Sequence, residues 1–238
     1  MGASGRPDCP CLAWVDRTVN DPVVVPAPPA HAAWWGRQPY QTLWQAMRTY
    51  TEQRQSDSPD WLWAVEHDPV YTLGLAGRTH HLTPAAQAHA PVVRCDRGGQ
   101  VTWHGPGQLV LYCLWNLRRR SLTVRGLVAL LEEAVIALLA QYGIAGERRP
   151  GAPGVYVGDA KIASLGLKVV RGCSYHGVSL NVTNDLTPFS WIDPCGFAGL
   201  PVTRTSDWGW SPTLVEAAEA LADHLPPKRW VWQAPPTV

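Results

Sequence analysis

Lysine is nearly missing from this chain of 238 residues, which carries three, at 161, 168 and 228, against seventeen arginines. Where arginine is the default cation, a retained lysine points to work arginine cannot do, because a buried lysine can lose its proton near neutral pH. The alternative, three ordinary surface charges, stays open on composition alone. No charge of one sign dominates either: the formal net charge is +1, so there is no basic footprint for nucleic acid or an anionic membrane surface. No apolar run reaches the ~18–20 residues of a membrane span; the best, Leu127 to Leu139, contains Glu132 and Glu133. The opening MGASGRPDCPCLAW lacks the charged-then-apolar order of a secretory signal, and Arg6 stands where an acylation signal has Ser or Thr. These absences predict a cytoplasmic protein with a small-molecule or protein substrate.

Several motifs are also missing. The six cysteines, at 9, 11, 95, 113, 173 and 195, include no C-x-x-C pair, which favours free thiols in a reducing compartment over zinc or disulfide frameworks. His80, His81, His104 and His176 form neither H-E-x-x-H nor H-x-x-x-H, so no metal is expected. No G-K-[ST] follows the glycine-rich run, so ATP use is not expected.

What is present divides at about residue 33. Residues 1–33 are rich in Pro and Ala and read as an extension without helix, because prolines 26, 28 and 29 interrupt it. Residues 34–238 read as one folded domain. Apolar positions 40, 43, 44, 47 and 50 predict a helix over 40–54, and 127–142 a second, stopped by Gly143. A last helix is expected over 212–224, capped by Ser211. WLWAVEH, DPVYTLG, VVRCDRGG, GQLVLYCLWNL, GVYVGDAKIASLGLKVV and CSYHGVSLNV read as strands, with a turn at Gly158-Asp159. Helices and strands mix without regular βαβ alternation, which predicts an α+β fold with a mixed or antiparallel sheet and flanking helices.

Three stretches resist a packing explanation: RGGQVTWHGPGQ at 97–108, KIASLG at 161–166, and HGVSLN at 176–181, followed by DPCG at 193–196. Each sets glycine beside polar residues near an apolar strand, where backbone can approach a ligand. Cys113 sits inside an apolar strand, as structural cysteines do, whereas Cys195 lies between proline and glycine in a turn, a setting suited to reactivity. A free thiol near its ordinary pKa is mostly protonated at neutral pH and needs a partner; His104, His176 and Lys161 are the candidates.

EHDPVYTLG, RGGQVTWHGPGQLVLY, KIASLGL, HGVSLNV and DPCG, in this order and over residues 35–207, resemble the lipoyl(octanoyl) transferase family of lipoate biosynthesis. The resemblance implies a domain like the catalytic domains of biotin and lipoate protein ligases. It implies transfer of an octanoyl group from octanoyl-acyl carrier protein to a lysine ε-amine on lipoyl domains, those of 2-oxoacid dehydrogenase E2 subunits and of glycine cleavage H protein. No cofactor is implied. Cys195 would hold the acyl group as a thioester and Lys161 would activate it. Arg97, Gly98, Gly99, Gln100, Val101, Thr102, Trp103 and His104, with Ser164, Leu165, Gly166, Gly177, Val178 and Ser179, would bind substrate. Thioester exchange is nearly isoenergetic and amide formation is downhill, so no nucleotide is needed, and glycine-turn N–H groups would suit the oxyanion.

The chain departs from the family pattern at Trp103, where tyrosine is usual, at Tyr112-Cys113, where tyrosine-proline is usual, and at the charged segment after Cys195. Alternatives are an ATP-dependent lipoate-protein ligase, a cysteine thioesterase and an inactive carrier-binding module. An acidic carrier could meet Arg118-Arg119-Arg120 or Arg148-Arg149, although such runs are more often solvated faces.

Overall fold

A computed structural model describes residues 30–193, 199–227 and 229–237. Its chain order is β1 (Ala30–Gln38), α1 (Tyr40–Gln53), β2 (Asp60–His67), β3 (Val70–Leu73), α2 (Pro84–His89), β4 (Val92–Arg94), β5 (Val101–His104), β6 (Gln108–Leu114), α3 (Val124–Gln141), β7 (Gly146–Arg149), β8 (Ala152–Val157), β9 (Ala160–Val170), β10 (Cys173–Asn181), α4 (Leu214–Ala222) and β11 (Val231–Trp232). Eight strands form a mixed sheet in the order β11-β1-β2-β6-β10-β9-β8-β7, and β4-β3-β5 form a smaller one. Only the β1 pairings, with β2 and with β11, are parallel in the large sheet. The fold is α+β, as the irregular order of elements predicts.

The central strands read as continuous apolar runs because both of their faces are covered. Leu62 and Ala64 on β2 and Leu109, Leu111 and Cys113 on β6 share one core with the apolar sides of α3 and α4. Alternate residues, Trp61, Trp63 and Val65 with Val110, Tyr112 and Leu114, share a second core with Leu43 and Met47 of α1. A third cluster joins Tyr71, Leu73, Val101 and Trp103 of the small sheet to α2 and Phe189. Helix α3 stops as its glycine requires: Gly143 has φ +72°, and the Ile144 N–H donates to Leu139 O at 3.0 Å.

Two local expectations need correction. Strand β1 starts at Ala30, so the sheet takes in four residues assigned to the extension. Helix α4 is capped by Thr213, not Ser211; Thr213 and Glu216 form a reciprocal capping box, which a cap at Ser211 has no glutamate in place to complete. Within residues 97–108 the chain passes from the small sheet, through β5, to the large sheet at β6. His80 and His81 lie in a single 3-10 turn with their rings 4.5 Å apart.

Candidate active site

The loop at 97–100, β5, β9, β10 and the first turns of α3 enclose a cavity of about 300 Å³. Arg97, Gly98, Gly99, Gln100, Val101, Thr102 and His104 reach it from the first stretch, Lys161, Ser164, Leu165 and Gly166 from β9, and Gly177, Val178 and Ser179 from β10. Three segments far apart in sequence thus meet because β9 and β10 pair directly, Gly166 opposite Gly177. Trp103 is absent from this wall: strand alternation turns it away from Thr102 and His104, onto Phe189 at 5.6 Å between ring centroids. Cys195 lies outside the described residues.

Glycines facing the loop let other main chains press against it. A Cβ on Gly74 would lie 2.4 Å from Gly99 O, and one on Gly166 would lie 3.0 Å from both Arg97 Cδ and Gly98 O. Gly99 itself has φ +86°, a conformation that favours glycine. The Gly98 N–H donates to Leu167 O at 2.9 Å and the Gly107 N–H to Glu66 Oε1 at 2.7 Å. Those two N–H groups are already engaged, which corrects the expectation that the glycine turns at these positions offer oxyanion donors.

Arg97 fastens the loop. Its guanidinium is buried and donates to Thr72 Oγ1, Thr72 O, Gly98 O and Gln100 O at 2.7–3.1 Å. A fork of five N–H donors suits this work, and it ties the loop to β3 without any carboxylate.

Lys161 is 4 % exposed, near the start of β9. Its N–H donates to Pro201 O at 2.8 Å and its carbonyl accepts from the Thr203 N–H at 3.0 Å. On the other flank of residues 194–198, the Asp193 N–H donates to His81 O at 3.0 Å. The Lys161 Nζ lies 5.3 Å from the centroid of the Tyr156 ring. Gly154 makes room for the stem.

A polar network backs the cavity wall, and of its members Asp96 and Tyr175 were not among the residues named as candidates. Asp96 accepts from Trp44 Nε1 at 2.9 Å, from the Tyr175 hydroxyl, and from His176 Nε2 at 3.0 Å. Burial would raise its carboxyl pKa, but these donors outweigh burial and hold it well below the usual carboxylate range. His176 therefore carries its proton on Nε2, and its backbone takes φ +60°, which is uncommon for a residue with a side chain. Burial lowers the pKa of His176 against the pull of Asp96. Burial also lowers His104 to about 3 and His67 to about 4. His104 Nδ1 donates to Gln108 Oε1 at 2.7 Å, while Gln108 Nε2 donates to Asn181 Oδ1 at 2.9 Å and Asn181 Nδ2 to Thr203 O at 3.0 Å. The chain of bonds links the glycine-rich stretch to the segment that pairs with Lys161. Tyr112 donates to His67 Nε2 at 2.7 Å, and Tyr40 stacks on His104. Asp96, adjoining Arg97, was the one readable signal: an acid immediately before the glycine-rich stretch.

Four of the five arginines in the two runs are committed to carboxylates; Arg118 is exposed and makes no ion pair. Arg54, Arg119 and Arg120 all grip Asp60 at 2.6–2.7 Å, and Arg120 lies over Trp115 and Trp230. Arg148 pairs with Glu132 and Glu133, and Arg149 with Asp159. This corrects the suggestion that Arg119, Arg120, Arg148 and Arg149 await an acidic carrier. Among the described residues no three His, Cys, Asp or Glu side chains group as a metal site, and no helix is long and apolar enough to cross a membrane.

Residues 39–226 match the model of the lipoyl protein ligase A/B catalytic domain. The chain is 56% identical over 190 residues to an octanoyltransferase of Dechloromonas aromatica, covering 80% of this chain and 92% of the relative. It is 58% identical over 195 residues to an octanoyltransferase of Halorhodospira halophila, covering 82% and 89%. Among solved structures, a lipoate-protein ligase A bound with ATP superposes with a TM-score of 0.69 at 14% identity, covering 87% of this chain and 88% of the other. A bipartite lipoate protein ligase from Thermoplasma acidophilum gives 0.67 at 15%, covering 87% and 88%. At such low identity these two structures speak for the fold alone. The family match across the folded residues and the identity to full-length relatives place the chain: it belongs to the lipoyl protein ligase A/B catalytic-domain family, among its octanoyltransferases.

Proposed function

We propose that the chain moves an octanoyl group from octanoyl-acyl carrier protein to the ε-amine of a lysine on a lipoyl-domain acceptor, through a thioester on Cys195. Octanoyl transfer is the reaction for which its curated relatives are named. The observation that carries it is the meeting of the glycine-rich stretch, β9 and β10 around one cavity, with Lys161 in its wall and its main chain bonded to residues just beyond Cys195.

In this scheme Lys161 takes the Cys195 thiol proton, and the thiolate attacks the thioester carbonyl. The new C–S bond forms as the carrier's C–S bond breaks, and the departing thiolate receives the proton from Lys161. The acceptor amine then attacks the acyl-enzyme. A C–N bond replaces the C–S bond, and Lys161 carries the amine proton to the Cys195 sulfur. Val110, Val128, Leu165 and Phe189 give the cavity apolar wall for the alkyl tail, where each buried methylene contributes roughly 0.8 kcal/mol.

Intact mass spectrometry tests this. The protein is mixed with octanoyl-acyl carrier protein without ATP, peptides are mapped, and a lipoyl domain is then added. An octanoyl adduct on Cys195 that moves to an acceptor lysine is expected. Transfer only with octanoate and ATP would assign a ligase instead, and release of free octanoate without acceptor product would assign a thioesterase.

A further inference from the structure

A basic basin adjoins the cavity and belongs to no part of the scheme above. Leu75, Arg78, Thr79, His80 and Arg94 line it. The turn that carries Leu75 rests directly on the active-site loop: the Leu75 N–H donates to Arg97 O at 3.0 Å and the Ala76 N–H to Gly99 O at 3.1 Å. Leu75 is 67% exposed, the largest exposure among the big apolar side chains of the described residues. Arg94 spends one N–H on Gly77 O at 3.3 Å, which holds its stem against the same turn.

Placement sets this basin apart. Arg119, Arg120, Arg148 and Arg149 are neutralised by buried or neighbouring carboxylates. Among the described residues Arg78 and Arg94 make no ion pair, nor do the exposed Arg118, Arg125, Arg171 and Arg229, but Arg78 and Arg94 share one basin with the exposed Leu75 beside the active-site loop. Two unpaired guanidinium groups beside an exposed leucine form a surface complementary to an acidic face that also presents an apolar side chain.

Resting on the transferase reading, we propose that this basin docks the acidic face of the carrier protein that brings the octanoyl thioester. Arg78 and Arg94 meet its carboxylates, Leu75 meets an apolar side chain, and the hydrogen-bonded turn sets the donor beside the loop at 97–99. The acceptor domain is served elsewhere.

The test compares wild type with R78E/R94E, using octanoyl-acyl carrier protein, octanoyl-phosphopantetheine and octanoyl-pantetheine as donors and one lipoyl domain as acceptor. For the carrier protein at low ionic strength, KM is expected to rise about tenfold or more with kcat held, and the difference to shrink at high salt. KM for both small donors and for the acceptor should stay within twofold. R78K/R94K should restore the wild-type KM, and R118E, at an exposed arginine outside the basin, should leave it unchanged. An unaltered carrier KM overturns the proposal. So does an equal rise for octanoyl-phosphopantetheine, which would assign the basin to the phosphate, or a rise confined to the acceptor. If wild type itself transfers from none of these donors, the transferase reading fails instead.

Discussion

Gly154 stands where a Cβ would lie 2.4 Å from Lys161 Cε and 3.1 Å from Lys161 Nζ. Its φ of +134° is also one that residues with side chains rarely adopt. The glycine on β8 therefore fixes where the lysine on β9 can go. Gly154→Ala is expected to displace the Lys161 stem and lower turnover by at least about tenfold, a loss of ~1.4 kcal/mol of transition-state stabilisation. Steady-state kinetics beside a thermal melt check it: a folded variant with wild-type kcat would refute the positioning role.

Lys161→Arg should keep the fold and lose most turnover, because arginine holds its proton at neutral pH and cannot serve as base. Lys161→Met should behave alike. Single-turnover acylation of Cys195 reads the effect directly, and wild-type rates in either variant would remove Lys161 from the proton path.

Two neutral histidines make stability depend on pH. His67 and His104 have pKa values of about 4 and about 3 in the folded state, from burial, against 6.5 unfolded. Below pH ~6.5 the unfolded chain takes up protons that the native chain refuses, so stability falls as the pH drops toward 4. The loss is on the order of a few kcal/mol in total, and Asp96, whose folded pKa is lowered, adds to it only below its unfolded value near 3.8. Urea midpoints between pH 7 and pH 4 should decline, and His104→Asn should flatten the decline. A flat wild-type profile would show that these rings are protonated within the fold.

Asp60 offers a contrasting case. It is 4 % exposed and holds three arginines together, and those arginines outweigh burial to keep its carboxyl pKa low. Asp60→Ala leaves the guanidinium groups facing one another, so it should cost about 3–5 kcal/mol, as breaking a buried pair does. Reversing Arg119 and Arg120 should likewise lower the melting temperature and leave the KM for the carrier protein unchanged in whatever stays folded. A raised KM in a fully stable variant would contradict this.

The sequence by itself determined the elements and the segments of the site. Apolar spacing set α1 and α3, Gly143 set the end of α3, and long apolar runs marked β2 and β6, because these patterns act between residues near in the chain. The motifs at 97, 161 and 176 were legible for the same reason: unusual glycine content is a local property. Only the tertiary structure decided which side chains share a space. It turned Trp103 away from the cavity, committed Arg97 to Thr72 and the loop carbonyls, joined Asp96 to His176 across 80 residues, and consumed Arg119 and Arg120 on Asp60. Pairing of strands distant in sequence, and the burial that makes an unpartnered charge costly, are fixed only when the whole sheet closes.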